Sequence, residues 1–485
     1  MKPARLFILI IAFILIVVSW WQVATAPRGL IVRRLARDGV PLLYLAPADA
    51  QGAQGAPGVL VAHGFAGSRQ LMMAYGYTLA HAGYAVMLWD FDGHGANARP
   101  LKSDSLQADL DAAYAALLEQ PEVDSNRLAL LGHSMGSGAV MTAGIRNPER
   151  YAATIAVSPT GAAVTPDAPR NLLLQAGGWE GQFVGNAQTL LAAAGGASED
   201  FLGGRARRLT VIPNAEHISI LFRGQSQRAV LDWLSNAFGE PRATAYTDRR
   251  IIWYGLSLLG WLLALVALAP VLQPVFPEQG AGPRWLSWVA LPVSALIASG
   301  MLALINPSMS LSSFGGLMVG GAVGLWFLVA GLVWLPSIRS LRRPSAVDMA
   351  WGAGLFVVLA LAFGVMAHYV WLPWWLNLPR LARWPLLSLA CLPWFLAAGM
   401  AQRGAGAGTR ALWWLAQSSA VVGGLFLVLA LVPSLGFLLL LLPLMPLILG
   451  ILAVAGAASG RAWAYGLGGA LFIGWIIAAV FPLAG

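Results

Sequence analysis

The second half of this chain is a succession of apolar runs, each near the length that a helix needs to cross a lipid bilayer. From residue 249 to residue 485 the sequence contains 11 Arg, no Lys and only two acids, Glu278 and Asp348. A spanning helix needs about 20 apolar residues. We therefore predict eight spanning helices in an all-α region over 249–485, near residues 251–272, 285–305, 314–335, 349–372, 384–401, 412–432, 437–457 and 462–483.

A further apolar run stands at the N-terminus. Lys2 and Arg5 precede an uncharged stretch of 18 residues, from Leu6 to Val23. The small residues at 24–26 resemble a signal-peptidase site, but the run is longer than the usual 7 to 15 residues or so of a signal peptide's apolar core. We favour an uncleaved signal anchor over residues 1–26, and a cleaved signal peptide is the alternative.

The segment between these apolar regions, residues 27–248, has the composition of a soluble domain. It contains 17 Lys+Arg and 19 Asp+Glu, a balance of 17 − 19 = −2, against +2 before it and +9 after it. These three values add up to the chain's net charge of +9. The excess positive charge thus flanks the apolar runs, where arginine is expected in membrane proteins, and gives no reason to expect nucleic-acid binding.

Short apolar runs alternate with amphipathic stretches along the soluble segment. A hairpin is predicted around Asp38 and Gly39, followed by strand-like runs and by helix-like stretches near 68–82, 104–119, 135–146, 186–194 and 218–238. Strands that alternate with helices are typical of a parallel sheet with helices on both faces. The fold class that we predict is α/β, together with the all-α multi-span region.

The sequence LLGHSMGSG, residues 130–138, places Ser134 between two glycines at the end of an apolar run. A Gly-x-Ser-x-Gly motif between a strand and a helix is typical of a nucleophilic serine on a sharp turn. A serine nucleophile needs a base and an orienting acid. His217 follows the last strand-like run and Glu180 follows the run before it, which gives the chain order Ser, acid, His. Asp167 is the alternative acid.

Two donors are predicted for a developing oxyanion, the backbone N–H groups of Phe65 and Met135. Phe65 lies in a turn after the first central strand, and Met135 follows the serine.

Residues from about 29 to 240 resemble the α/β-hydrolase superfamily in its small, lid-poor form. The resemblance rests on the turn HGFAGS at 63–68, on DFDGHG at 90–95, on the serine motif, and on the positions of Glu180 and His217. It implies that Ser134 is the nucleophile, His217 the base, Glu180 the acid, and Phe65 and Met135 the oxyanion donors. The superfamily more often has Asp as the acid. The resemblance assigns loop-shaping roles to His63, Asp90, Asp92 and His94.

No zinc-type His/Cys spacing, phosphate-binding glycine loop or dinucleotide motif is present, so we expect neither metal nor cofactor. About 12 residues separate the strands near Ser158 and Asn171, too few for a lid domain. We expect a serine hydrolase that cleaves an ester, or else an amide or thioester, of small-molecule, lipid or envelope origin. Two alternatives stay open: a transporter or acyl-group carrier with an accessory hydrolase domain, and a catalytically silent interaction module.

The orientation follows from the arginines of the short loops. With a cytoplasmic N-terminus, seven loop arginines are cytoplasmic and two, Arg380 and Arg383, are not. Including the arginines that border the soluble segment, together with Lys2 and Arg5, makes the count nine against nine. Because folded domains translocate despite flanking charge, we expect an integral protein of the cell membrane with an extracytoplasmic hydrolase domain. His368 is the one histidine within a predicted span, either functional or interfacial near Trp371.

Overall fold

The computed structural model describes residues 2–50, 55–102, 104–272, 285–338 and 343–485. Glu278 and three of the arginines used for the orientation, Arg284, Arg339 and Arg342, lie outside these ranges. The contacts divide the chain into two units. One is Trp21–Tyr254 with Ala367–Pro373, and the other is Met1–Trp20, Gly255–Met366 and Trp374–Gly485.

The first unit contains a mostly parallel sheet of eight strands in the order β1-β2-β4-β3-β5-β6-β7-β8. Strands β1 and β2 form the predicted hairpin, with Asp38 and Gly39 at φ 49° and 78°. Strand β2 pairs antiparallel with β4, and the remaining pairs are parallel. The strands are β1 Leu30–Arg37, β2 Val40–Pro47, β3 Ala56–Ala62, β4 Ala85–Trp89, β5 Val123–His133, β6 Ala153–Val157, β7 Leu172–Gly177 and β8 Arg207–Ile212.

Helices cover both faces of this sheet, as the continuous apolar strands require. In β3, Val59 and Val61 belong to a core cluster on one face, and Leu60 and Ala62 to a cluster on the other. This alternation follows from the two-residue period of a strand. The helices of the unit are α2 Met73–His81, α3 Ser105–Leu118, α4 Met135–Arg146, α5 Gly181–Ala193 and α6 Gly224–Phe238. The arrangement is the predicted α/β-hydrolase fold.

The second unit is helical. Within the described residues, eight helices of the chain are long and apolar enough to cross a membrane, or nine if one bent pair counts as a span. The helices of the chain outside the sheet region are α1 Pro3–Thr25, α7 Arg250–Leu272, α8 Trp285–Ile305, α9 Gly320–Trp334, α10 Ala346–Leu359, α11 Met366–Val370, α12 Leu378–Ala401, α13 Ala407–Leu431, α14 Leu444–Ser459 and α15 Ala462–Val480.

Two of the predicted spans are not straight α-helices. The span expected at 437–457 consists of a 3₁₀ segment, Pro433–Leu440, and α14, at an angle of 54°. Pro443 lies at the break, where its missing N–H interrupts the helical hydrogen bonds. The span expected at 349–372 contains a π-helical stretch, Ala360–Val365, between α10 and α11.

The end of that span belongs to the unit that contains the sheet. Ala367–Pro373 belongs to the first unit by its contacts. The Arg250 Nη1 donates to the Tyr369 carbonyl at 2.9 Å, and Trp371 packs on the core cluster that also contains Val59. His368, within this segment, lies in the electrostatic field of Arg69, Arg34 and Asp90 of the sheet unit.

Two buried charges of the helical unit hold helix ends. Arg380 is 1% exposed, and its Nη1 donates to the carbonyls of Ala478, Ala479 and Phe481 at 2.6, 3.2 and 2.7 Å. It thereby satisfies the carbonyls that α15 leaves unpaired at its C-terminus. Asp348 caps the start of α10, where it accepts from the N–H and hydroxyl of Ser345, and it also accepts from Arg461 Nε at 2.7 Å.

Candidate active site

Ser134 stands on the turn between β5 and α4 with φ 52° and ψ −121°, a backbone conformation that is strained for a residue with a side chain. The flanking glycines are sterically required. A Cβ on Gly132 would lie 2.2 Å from the Gly136 carbonyl oxygen, and a Cβ on Gly136 would lie 2.5 Å from the His63 carbonyl oxygen. The turn therefore has the geometry expected of a nucleophile elbow.

His217 contacts both of its predicted partners. The Ser134 hydroxyl donates to His217 Nε2 at 3.0 Å, and His217 Nδ1 donates to Glu180 Oε1 at 2.6 Å. These bonds are consistent with a neutral imidazole that has its proton on Nδ1 and its acceptor nitrogen toward the serine. The structure thus brings Ser134, His217 and Glu180 together in the arrangement that acyl transfer by a serine requires.

Glu180 is buried at the end of β7, and each of its oxygens has a donor. Its second oxygen, Oε2, accepts from the Gly177 N–H at 2.6 Å and from the Ser158 hydroxyl at 2.9 Å. These bonds fix the carboxylate plane, so that Oε1 is directed at the imidazole. The alternative acid, Asp167, is exposed, and its charge acts on Arg207.

His133 holds the loop that carries His217. Its Nε2 donates to the His217 carbonyl at 2.9 Å, and the two rings are 4.7 Å apart. Burial, and secondarily the adjacent His217 ring, lower the pKa of His133 well below its ordinary value. His133 therefore stays neutral and places no positive charge beside the imidazole that must accept a proton.

The turn at 63–65 passes directly over the serine. A Cβ on Gly64 would lie 3.0 Å from Ser134 Cβ, so only glycine fits there. This closeness brings the predicted donor Phe65 beside the site. The other predicted donor, the Met135 N–H, is the first amide of α4, a position that has no acceptor within the helix.

The turn at 63–65 is supported by other residues of the two loops that resemble the superfamily, 63–68 and 90–95. His63 accepts from the Phe91 N–H at Nε2 and donates from Nδ1 to the Gly64 carbonyl, at 3.1 and 2.7 Å. Burial lowers the pKa of His63, which keeps it neutral. Asp90 accepts from the N–H groups of Arg69 and Ala96. These contacts agree with the loop-shaping role that the resemblance implies.

One edge of the site lies where β6 and β7 end. The structure has no helix between these two strands, over residues 158–171, all of which are described. Phe183 stacks on the His217 ring at 4.4 Å, and the Trp179 side chain is 69% exposed. In the part of the chain that the structure describes, no group of three or more His, Cys, Asp or Glu is placed to hold a metal ion.

Comparison with known proteins supports the hydrolase part of the chain. Residues 56–228 match the family described as serine aminopeptidase, S33. An uncharacterized protein of Mycobacterium tuberculosis (strain ATCC 25618 / H37Rv) is 34% identical over 92 residues, which are 19% of this chain and 33% of that protein. The chain thus spans about a third of the curated relatives that it matches. The family match and the fold together support a serine hydrolase.

The chain is also similar to solved structures at low identity. A bacterial heroin esterase is 16% identical with a TM-score of 0.36, and the alignment covers 47% of this chain and 90% of that one. A hormone-sensitive lipase from a metagenome library is 17% identical with a TM-score of 0.35, and covers 46% and 91%. At such identities a shared architecture says nothing about substrate.

Three contacts of the site have no counterpart in the sequence analysis. They are the Ser158 bond to Glu180, the His133 bond to the His217 carbonyl, and the Phe183 ring on His217. Of these three residues, only Ser158 could be expected near Glu180 from the sequence. Ser158 follows β6 and Glu180 follows the neighbouring strand β7, and parallel strands end at the same edge of the sheet.

Proposed function

We propose that this protein is a membrane-anchored serine hydrolase that cleaves a carboxylic ester through an acyl-enzyme. The observation that carries the proposal is the continuous hydrogen-bond path from the strained Ser134 to His217 Nε2, and from His217 Nδ1 to the buried Glu180. A structural serine on a tight turn needs neither the buried carboxylate nor the aligned imidazole.

In the proposed mechanism, Ser134 Oγ attacks the ester carbonyl carbon while its proton passes to His217 Nε2. Glu180 stabilises the imidazolium that forms, since Oε1 already accepts the Nδ1–H bond. The N–H groups of Phe65 and Met135 donate to the tetrahedral oxyanion. The imidazolium then protonates the leaving alcohol, and a water activated by the same histidine releases the acid.

The partly apolar surroundings of the site support an amphiphilic substrate. Trp179 and Phe183 provide apolar surface beside His217, and residues 158–171 contain no helix that would limit the size of the acyl group. We therefore propose a lipid-derived or envelope-derived ester as substrate. The family description names an aminopeptidase, so an amide substrate is the competing reaction, and the test below measures it.

The long apolar helices support insertion in the cell membrane, and the arginine distribution favours an extracytoplasmic hydrolase unit. A reporter inserted after Ala50 distinguishes the two orientations. Alkaline phosphatase activity with no fluorescence from a green fluorescent protein at the same position is the expected result. The reverse pattern contradicts the proposed orientation.

The decisive experiment treats the detergent-solubilised full chain with a fluorophosphonate probe. We expect labelling of the wild type and of Ser125→Ala, an exposed serine as matched control, and no labelling of Ser134→Ala. Ester turnover should fall roughly 10⁶-fold in Ser134→Ala. Labelling of both Ser134→Ala and wild type, or of neither, would contradict the proposal.

The same preparation identifies the bond that is cleaved. Nitrophenyl esters of graded acyl length are compared with aminoacyl nitroanilides, and we expect turnover of esters that increases with chain length. Faster turnover of the anilides would replace the esterase proposal with a peptidase.

A further inference from the structure

A small cleft surrounded by arginines lies at one end of the helical unit, far along α12 from Arg380. Its lining includes Arg403, Arg410 and Arg461, together with Gln402 and Tyr465. The cleft measures about 30 Å³, which is room for about one water-sized group. Arg461 is neutralised by Asp348. The cleft therefore accommodates single oxygen atoms, and a larger headgroup would remain at its mouth.

Arg410, in this cleft, has unused hydrogen-bond donors. Its Nε donates to the Ala405 carbonyl at 2.9 Å. Across the described ranges, its Nη nitrogens have no hydrogen-bond partner and no carboxylate lies within 4.0 Å. An arginine within a spanning helix is costly unless its charge is compensated. Its planar pair of Nη donors matches the geometry of phosphate oxygens.

The start of α13 adds backbone N–H donors near Arg410. This helix begins at Ala407, and its N-cap, Gly406, has no side-chain oxygen to accept from the first amides. Unpaired N–H groups at a helix N-terminus attract anions. Arg410 follows within the first turn of the helix, so the side-chain and backbone donors lie in the same region.

An apolar groove of about 590 Å³ begins at the same arginine. Arg410 lines both the cleft and the groove. The groove walls come from three helices, α7, α13 and α14, and its volume falls within the range of about 300 to 1,000 Å³ that is typical of ligand sites. Apart from Arg410, the lining is Leu262, Val266, Ala269, Ala407, Ala411, Trp414, Pro446, Leu447, Gly450, Ile451, Ala453, Val454 and Ala457.

One wall of the groove is fixed by a specific contact. The Trp414 indole N–H donates to the Pro446 carbonyl at 2.8 Å, which holds α13 against α14. A Cβ on Gly450 would lie 3.2 Å from the same indole nitrogen, so the absence of a side chain there makes room for the ring. The groove is thus a built surface with one charged end.

We propose that this groove and its arginine bind an anionic phospholipid, with a phosphate oxygen on Arg410 and an acyl chain between α7, α13 and α14. The charged end excludes a purely apolar occupant, and the apolar walls leave no polar partner for a free phosphate along their length. The proposal rests on the proposed membrane insertion and is independent of the hydrolase chemistry. Basic sites between membrane helices recognise anionic headgroups in the same way.

Native mass spectrometry of the full chain tests the proposal. The protein in detergent is given equal amounts of phosphatidylglycerol and phosphatidylcholine with identical acyl chains. We expect retention of phosphatidylglycerol to exceed that of phosphatidylcholine about fivefold. Arg410→Gln should remove this preference, whereas Arg249→Gln, which removes an exposed arginine outside the groove, should retain it.

A second variant tests the groove without changing charge. Ala453→Phe fills the space between the helices, and we expect it to reduce retention of phosphatidylglycerol as much as Arg410→Gln does. Ester turnover, measured on each sample, should equal that of the wild type and thus shows that the variants are folded. Loss of lipid retention with normal turnover also separates this proposal from the proposed function.

Three results would overturn the proposal. One is equal retention of the two lipids by the wild type. Another is an unchanged preference in Arg410→Gln, or unchanged retention in Ala453→Phe if the arginine variant does not fold. The third is complete displacement of the lipid by millimolar glycerol phosphate, which would indicate an anion site without a chain-binding groove.

Discussion

Each unit of this protein contains a buried carboxylate with a closely similar set of donors. Glu180 accepts from a backbone N–H, from the Ser158 hydroxyl and from His217; Asp348 accepts from a backbone N–H, from the Ser345 hydroxyl and from Arg461. The difference lies in the third donor. An imidazole has a second nitrogen that can take a proton from a serine, whereas a guanidinium keeps its charge at all relevant pH values. Similar donors thus surround the proposed catalytic acid in one unit and a carboxylate that joins helix ends in the other.

Loss of the Glu180 charge should have the largest effect among the substitutions that test the difference between these two carboxylates. In Glu180→Gln the side chain no longer stabilises the imidazolium, and kcat for ester hydrolysis should fall roughly 10⁴-fold. Asp167→Asn is the matched control and should retain wild-type turnover. If Asp167→Asn loses activity and Glu180→Gln does not, the acid of the site has been assigned wrongly.

The corresponding change in the helical unit should lower stability and leave kcat unchanged. Asp348→Asn removes the carboxylate that pairs with Arg461 and caps α10, and the free energy of unfolding in detergent should fall by about 3 kcal/mol. Asp111→Asn, which breaks an ion pair that is about half exposed on each side, should cost under about 1 kcal/mol. We expect normal kcat per folded molecule in Asp348→Asn. A loss of kcat equal to that of Glu180→Gln would contradict the distinction between the two carboxylates.

A further feature of the Glu180 site is the bond from His133 to the His217 carbonyl, which holds the loop that carries the imidazole. His133→Leu removes the donor, and kcat/KM should fall about tenfold, since the imidazole is less well positioned. His133→Gln supplies an amide N–H and should recover most of the activity. Equal activity of both variants would show that the bond does not position His217.

The smallest predicted effect is on the pH dependence of stability. The folded-state pKa values of His63 and His133 are lowered by burial, so the unfolded chain binds more protons as the pH falls below about 6.5. Each histidine should then decrease the free energy of unfolding by up to about 1.4 kcal/mol per pH unit. Urea titrations between pH 8 and 5.5 should show a shallower decrease in His133→Gln. An unchanged slope would contradict a buried neutral histidine.

Asp109 should affect the pH dependence of stability in the opposite direction to the two histidines. Burial raises its pKa to about 6, so its protonation favours the folded state as the pH falls below 6. Asp109→Asn removes this contribution and should make the decrease below pH 6 steeper than in the wild type.

The sequence was sufficient to predict the sheet unit and the local motifs of its site. Gly-x-Ser-x-Gly after an apolar run specifies a strand, a turn and a helix, because only glycine fits the close backbone approaches at Gly132 and Gly136. The contacts of Ser158, His133 and Phe183 could not be predicted, because they depend on which distant segments meet at the strand ends. Helix α5 also begins at Gly181, earlier than the predicted 186.

In the helical unit, hydropathy located the apolar segments but not their distortions. The bend near Pro443 and the π-helical stretch at Ala360–Val365 arise from missing or displaced backbone hydrogen bonds, which do not change the mean hydropathy of a segment. From the sequence, Arg380 is predicted to be a loop charge, whereas the structure buries it on the end of α15. Such an arginine satisfies backbone carbonyls and carries little information about orientation.

The cap on α15 sets an order of events during biosynthesis. Arg380 is separated from its first acceptor, the Ala478 carbonyl, by 98 residues. Translation of that stretch takes roughly 5 to 20 seconds at about 5 to 20 residues per second. Throughout that interval the guanidinium lacks its final partners and must keep water or lipid phosphate around it. Completion of α15 is therefore what allows this charge to become buried within the helical unit.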